Sequence, residues 1–190
     1  MSYLLGSGLT RFGRHEGRTT LDLMTEASSA ALADAQLERG DIDGLICGYS
    51  MTMPHLMLAT VFAEYFGIRP TYAHAVQVGG ATGFAMVMLA HLLVESGAAQ
   101  RILVVAGENR MTGQSRDAAI QALAQTGHPQ YEVPLGTTIP AYYGLIASRY
   151  MWEHQVTEAD FAELAVLMRR QAGRHEGCLL YTSDAADEED

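Results

Sequence analysis

Nine residues carry the strongest chemical signal in the sequence: Ala75-Val76-Gln77-Val78-Gly79-Gly80-Ala81-Thr82-Gly83, followed at once by the apolar run 84–95. An extended segment, 71–76, leads in, small residues make a tight turn, and a helix leaves. Such a strand–turn–helix corner holds its turn at a helix N-terminus, where the first backbone N–H groups lack partners and favour anions and developing oxyanions. Enzymes that pass through a covalent acyl intermediate often place the nucleophile there. This corner offers Gly79 and Gly80 and no Ser, Cys or Thr ahead of Ala81. The arrangement is that of an acyl-transfer site without its nucleophile. The candidate substrate contacts are Gly79, Gly80, Ala81, Thr82 and Gly83, joined by Glu108 and Asn109, which end a later strand on the side where parallel sheets bind ligands.

Other reactive side chains read as structural. Gly6-Ser7-Gly8 invites a dinucleotide-binding reading, but the third glycine of that motif falls on Arg11. Cys47 sits in an apolar strand and is expected to be core. His74, beside the corner, and His91, inside the helix that leaves it, are read as structural or exposed. Met51, Met53 and Met57 are read as packing or a subunit contact.

Composition narrows the function classes. The chain has 190 residues, 48% apolar and 18% charged, enough for a sizeable core. Its formal charge of −10 argues against nucleic acid. Five of its 22 acidic residues fall in the last seven positions, so the body is only mildly acidic. No apolar run is long enough and charge-free enough to span a bilayer, and the first residues lack the pattern of a signal peptide. Two cysteines make no disulfide framework, so a reducing cytoplasm is the expected location.

The elements that must position the corner follow from periodicity. A first strand is expected over Tyr3–Leu9, with Gly6 and Gly8 allowing close backbone approach. A helix capped by Thr19 or Thr20 follows to about Glu38, with Leu21, Met24, Ala27, Ala31 and Ala35 on one face. A turn at 40–43 delivers a second strand, Gly44–Gly48, and a helix is expected over Met51–Gly67. The third strand enters the corner. The helix leaving it is apolar nearly all round and is expected to be buried on most sides. Residues 102–106 form a continuous aliphatic run, expected to be a central parallel strand. Alternation of strand and helix implies an α/β fold with a parallel sheet. Residues 110–140 form a long excursion, followed by helices over Ile139–His154 and from Thr157 to about Arg174, the latter with Asp160 placed for a capping box.

These residues resemble the N-terminal half of a thiolase-superfamily protein of the sterol-carrier-protein (lipid-transfer) branch. The resemblance runs over roughly residues 3–177. It rests on Gly6-x-Gly8-x-Thr10-x-Phe12-Gly13, Asp41-Ile42-Asp43-Gly44, Gly80-Ala81-Thr82-Gly83, Val104-Val105-Ala106-Gly107-Glu108-Asn109, Ala147-Ser148-Arg149-Tyr150-Met151 and Met168-Arg169-Arg170-Gln171-Ala172. It implies an αβαβα layered fold of two similar halves, of which this chain supplies a βαβαβαβ half with a helical excursion. It also implies a homodimer, or a hetero-complex with a small OB-fold protein, acting on acyl-coenzyme A thioesters. No covalently bound cofactor is expected, coenzyme A entering as part of the substrate.

Thiolases carry a nucleophilic Cys at the corner, and aligning the small-residue box puts Gly80 there. Members without that Cys resemble aldolases that cleave a β-hydroxyacyl-CoA. A non-catalytic acyl-CoA- or lipid-binding subunit is the other alternative. Thr126-Gly127-His128-Pro129 mimics a family Gly-His-Pro but comes too early, so His128 is read as a loop histidine. Other family groups belong to a C-terminal half, so this stretch alone is expected to be inactive. Residues 1–177 are read as an incomplete thiolase-like domain. Residues 178–190 resemble the in-frame translation of a sequencing adapter and are read as a non-native tail.

Overall fold

The computed structural model describes residues 1–136 and 138–175, and the expected tail at 178–190 lies outside them. The chain divides into two compact units, one of residues 1–10 and 14–115, the other of residues 11–13 and 116 onward.

The first unit is built on a three-stranded parallel sheet in the order β2-β1-β3, with β1 Gly44–Gly48, β2 Tyr72–Val76 and β3 Ile102–Val105. β1 is central and buried along its whole length. Its Leu45 and Cys47, with Leu103 and Val105 of β3, face helices α1 (Thr20–Ala35) and α2 (Leu58–Phe66). That core includes Met24, Phe62 and Phe66, and the rings of the last two stack 5.4 Å apart. The opposite face carries α3 (Thr82–Glu95). There Gly48 lets Met86 of α3 approach, since a Cβ at Gly48 would lie 3.4 Å from the Met86 methyl.

One residue sets the alignment of all three strands. The Asp43 carboxylate accepts the N–H groups of Gln100 at 2.8 Å and Arg101 at 2.7 Å, just ahead of β3. Its backbone carbonyl accepts the N–H of Thr71 at 2.9 Å, just ahead of β2.

The strands at 44–48, 72–76 and 102–105 fall where the apolar runs predict. Thr19 caps α1 in a capping box with Asp22, and Thr157 caps the helix Glu158–Ala172 in the same way with Asp160. Four expectations change.

Residues 3–9 form no strand. They run unpaired against the Ala27, Ala31 and Ala35 stripe of α1, so close that a Cβ at Gly6 would lie 2.6 Å from the Ala31 carbonyl. The helix expected from Met51 starts only at Leu58, because Pro54 disfavours helical geometry at Met53 and Glu108 takes the Met51 and Thr52 N–H groups. The run at 102–106 is an edge strand with alternating burial, since β1 occupies the centre. α3 buries only Thr82 and Met86 and leaves Phe84 85% exposed, because it packs on the sheet along one side only. The excursion is helical in part, as expected, with α4 at Arg110–Gly113 and α5 at Arg116–Ala124.

The second unit contains α5, α6 (Ile139–His154) and α7 (Glu158–Ala172), none of which buries a side chain. Tyr150 of α6 meets Phe161 of α7 with ring centroids 6.1 Å apart.

Candidate functional site

In a parallel sheet the loops leaving the C-terminal strand ends converge on one rim. Here three such loops meet within the first unit: Tyr49–Met57 after β1, Gln77–Ala81 after β2, and Ala106–Asn109 after β3. The N–H of Tyr49 donates to the Val76 carbonyl at 3.1 Å, and a Cβ at Gly48 would lie 2.8 Å from that of Ala106.

The corner is a short 3-10 turn, Gly79–Ala81, that runs directly into α3. Its backbone is fixed by Thr82, whose buried hydroxyl donates to the Gly79 carbonyl at 2.7 Å and accepts the Val78 N–H at 3.0 Å. The Ala81 N–H is taken by the Val78 carbonyl and that of Thr82 by the Gly79 carbonyl. The donors that head the turn belong to Gly79 and Gly80, both exposed. Gly79 has φ +55°, a left-handed conformation that suits glycine. Gly80 has no such need: its φ is ordinary, and a Cβ there would meet nothing within 4 Å. Gly83 is equally open. The fold therefore accommodates a side chain at position 80, and its absence is a property of the sequence alone.

Glu108 and Asn109 reach the same rim from β3, separated from the corner by β1, a distance of two strand spacings or about 9–10 Å. Both are largely occupied by their own chain. The Glu108 carboxylate accepts the N–H groups of Met51 at 2.5 Å and Thr52 at 3.2 Å and the Thr52 hydroxyl at 2.8 Å. Thr52 Oγ1 in turn meets Thr20 Oγ1 at 2.9 Å and accepts the Asn109 N–H at 3.3 Å. The buried Asn109 amide donates to the His15 and Arg18 carbonyls at 3.2 and 2.8 Å, leaving Oδ1 without a partner. These two residues build the rim by holding the loops at 50–53 and 15–18. Thr52 and Ser50 contribute to the same network; Thr52 escapes a sequence reading that places it in a helix from Met51, and Ser50 one that gives it no role, and the signal that could have exposed them is Pro54.

The remaining candidates fall where chemistry is not expected. Cys47 is fully buried, and burial pushes its thiol up to about 12. His91 shares a 2.7 Å hydrogen bond with Ser2, His74 is exposed on β2, and His128 is exposed in a loop, its ring 4.7 Å from that of Tyr131. Among the described residues no group of three or more His, Cys, Asp or Glu is placed to hold a metal, and no helix is long and apolar enough to cross a membrane.

Comparison with known proteins accords with this arrangement. The family described as Thiolase, N-terminal domain, matches residues 3–176. An acetyl-CoA acetyltransferase of Methanocaldococcus jannaschii is 28% identical over 90% of this chain and 44% of its own length. A steroid side-chain-cleaving aldolase of Thermomonospora curvata is 29% identical over 94% of this chain and 46% of its own. A solved structure, titled Ltp2-ChsH2(DUF35) aldolase, superposes with a TM-score of 0.74 at 29% identity, over 94% of this chain and 45% of that one. The chain thus spans less than half the length of the relatives it matches.

Proposed function

Because the chain belongs to the thiolase family through that family's N-terminal domain, we propose that the protein handles acyl-coenzyme A thioesters in lipid or steroid side-chain breakdown. The observation that carries the choice of reaction is Gly80, open and unstrained at the position that the resemblance gives to the family's acyl-accepting nucleophile. Acyl transfer through a protein thioester has no group to use there. Retro-aldol cleavage of a β-hydroxyacyl-CoA needs none. A base removes the β-hydroxyl proton, the Cα–Cβ bond breaks, and its electron pair forms the thioester enolate. Protonation at Cα then releases the shortened acyl-CoA, and the other fragment leaves as a ketone or aldehyde. The N–H groups heading the turn at Gly79 and Gly80 suit the enolate oxygen. The solved aldolase named with a DUF35 protein supports a hetero-complex for this chain, with a homodimer as the other assembly expected of the family.

The test is to incubate the complete gene product, alone and with a DUF35 partner, with a β-hydroxyacyl-CoA and to follow products and protein by mass spectrometry. The expected result is a shortened acyl-CoA plus a carbonyl fragment, with no acyl adduct on the protein. An acyl adduct, or acyl exchange with acetyl-CoA, would return the protein to the transferases. Thioester binding without turnover in either format would make it a binding subunit.

A further inference from the structure

Arginine supplies every Lys-or-Arg position of this acidic protein, 12 in all, and three of the six in the first unit are spoken for. Arg18 pairs with Glu26 at 2.5 Å and donates to the Asp22 carbonyl. Arg101 lies 3.8 Å from Asp41, and Arg39 sits over the Phe66 ring. Arg14, Arg69 and Arg110 have no carboxylate partner among the described residues, and all three are exposed. Arg69 precedes β2 at the opposite edge of the sheet. Arg14 and Arg110, 96 positions apart, are brought to the same place.

The loop at 14–18 is stitched to the turn at 109–112 by His15 N–H donating to Thr112 Oγ1 at 2.8 Å and by the Asn109 amide donating to the His15 and Arg18 carbonyls. Arg14 adjoins one side of that seam and Arg110 the other. Arg110 also reaches the loop after β1, its Nη2 lying 3.6 Å from the Met51 sulfur. Two acids stand nearby. Glu108 is consumed by the Met51 and Thr52 N–H groups, and Glu16, on the arginine loop itself, is exposed and pairs with neither arginine.

We propose that Arg14 and Arg110 form an anion site on the C-terminal rim that takes the diphosphate of an acyl-coenzyme A whose thioester lies at Gly79–Gly80. This rests on the acyl-CoA reading above and gives it a second anchor. Guanidinium groups bind phosphate oxygens through paired N–H donors. The rim separates the two ends of the ligand by the width of β1, a gap that an extended pantetheine arm spans. Asn109 acts here as a positioning residue, since its two amide hydrogen bonds hold the Arg14 loop against the turn that carries Arg110.

Isothermal titration of the 190-residue chain with CoA, 3′-dephospho-CoA and pantetheine tests this, using Arg14→Gln, Arg110→Gln, their double variant and Arg69→Gln, with circular dichroism to check folding. Each single change at the rim should weaken CoA and 3′-dephospho-CoA alike by about 3- to 10-fold, and the double variant more. Pantetheine affinity should stay constant, and Arg69→Gln, with the same loss of charge, should bind as wild type. Equal CoA affinity in the double variant and wild type would overturn the site and leave the acyl-CoA reading standing. So would an equal loss in Arg69→Gln, which would mark a diffuse field, or an effect confined to CoA, which would move the contact to the 3′-phosphate. If wild type binds none of the three compounds, this site fails, and the acyl-CoA reading is decided by the turnover experiment above.

Discussion

Gly79 and Gly80 are neighbours with opposite requirements. Gly79 holds a left-handed backbone at φ +55°, so Gly79→Ala should cost about 1–2 kcal/mol in urea unfolding. Gly80→Ala should be neutral within about 0.5 kcal/mol, because its Cβ enters open space. Gly80→Cys should fold as well, and its thiol, at an exposed helix start, should react with Ellman's reagent in the native state. Cys47, buried and pushed up to about 12, should react only on unfolding. With Cys178 replaced by Ser in both proteins, a fast thiol in the parent chain, or a silent one in the Gly80→Cys variant, would contradict this account of the corner. The missing nucleophile is legible in the sequence because it is a matter of residue identity. The work done by Glu108 is not, because its partners Met51 and Thr52 lie 57 and 56 positions away. Glu108→Gln leaves two backbone donors facing a weaker acceptor and should cost about 1–3 kcal/mol.

Among the elements, α1 shows what local sequence can and cannot reveal. Its start is written at Thr19 and Asp22, whose side chains exchange hydrogen bonds with each other's backbone. Asp22 also accepts the Tyr65 hydroxyl at 2.5 Å. That bond, and then those from Thr19, hold its carboxyl down at about 2, against an ordinary 3.8. A depressed carboxyl contributes stability that is present above pH 3.8 and is lost as pH falls through 2. Asp22→Asn should therefore flatten the acid limb between pH 4 and 2 and leave its shape near pH 7 unchanged, as read by thermal melts. The alanine stripe on the same helix reads as one more apolar face, yet its partner is the backbone around Gly6 and Gly8. Residues 3–9 carry strand-forming side chains, but a strand exists only where another edge pairs with it, which no local pattern encodes. Gly6→Ala should clash with the Ala31 carbonyl and cost about 1–3 kcal/mol.

For the whole chain, the parallel order of strands and helices was legible because each strand of the sheet is a short apolar run bounded by turn residues. The burial of α3 was not. Its apolar circumference announces a helix covered on both sides, whereas Phe84, Val87, Met88 and Leu92 are all more than half exposed. Among the described residues nothing covers that surface. The isolated chain should accordingly bind the dye ANS strongly in its native state. Phe84→Glu with Met88→Glu should reduce that signal severalfold without lowering the melting temperature. An unchanged signal would place the exposed apolar surface elsewhere.

Asp43 has a consequence for how the sheet assembles. The strands it aligns are separated in sequence by a helix each, so both pairings close long loops and come late in folding. Parallel strands slip easily in principle, and a shift of one residue would turn every side chain of a strand to the wrong face. Because one residue receives β2 on its carbonyl and β3 on its carboxylate, the two registers are not independent events. A chain that has docked one neighbour correctly has already oriented the receptor for the other. Asp43 thus couples the two registers at one residue, so that Asp43→Ala removes the carboxylate link to β3 and leaves the carbonyl link to β2.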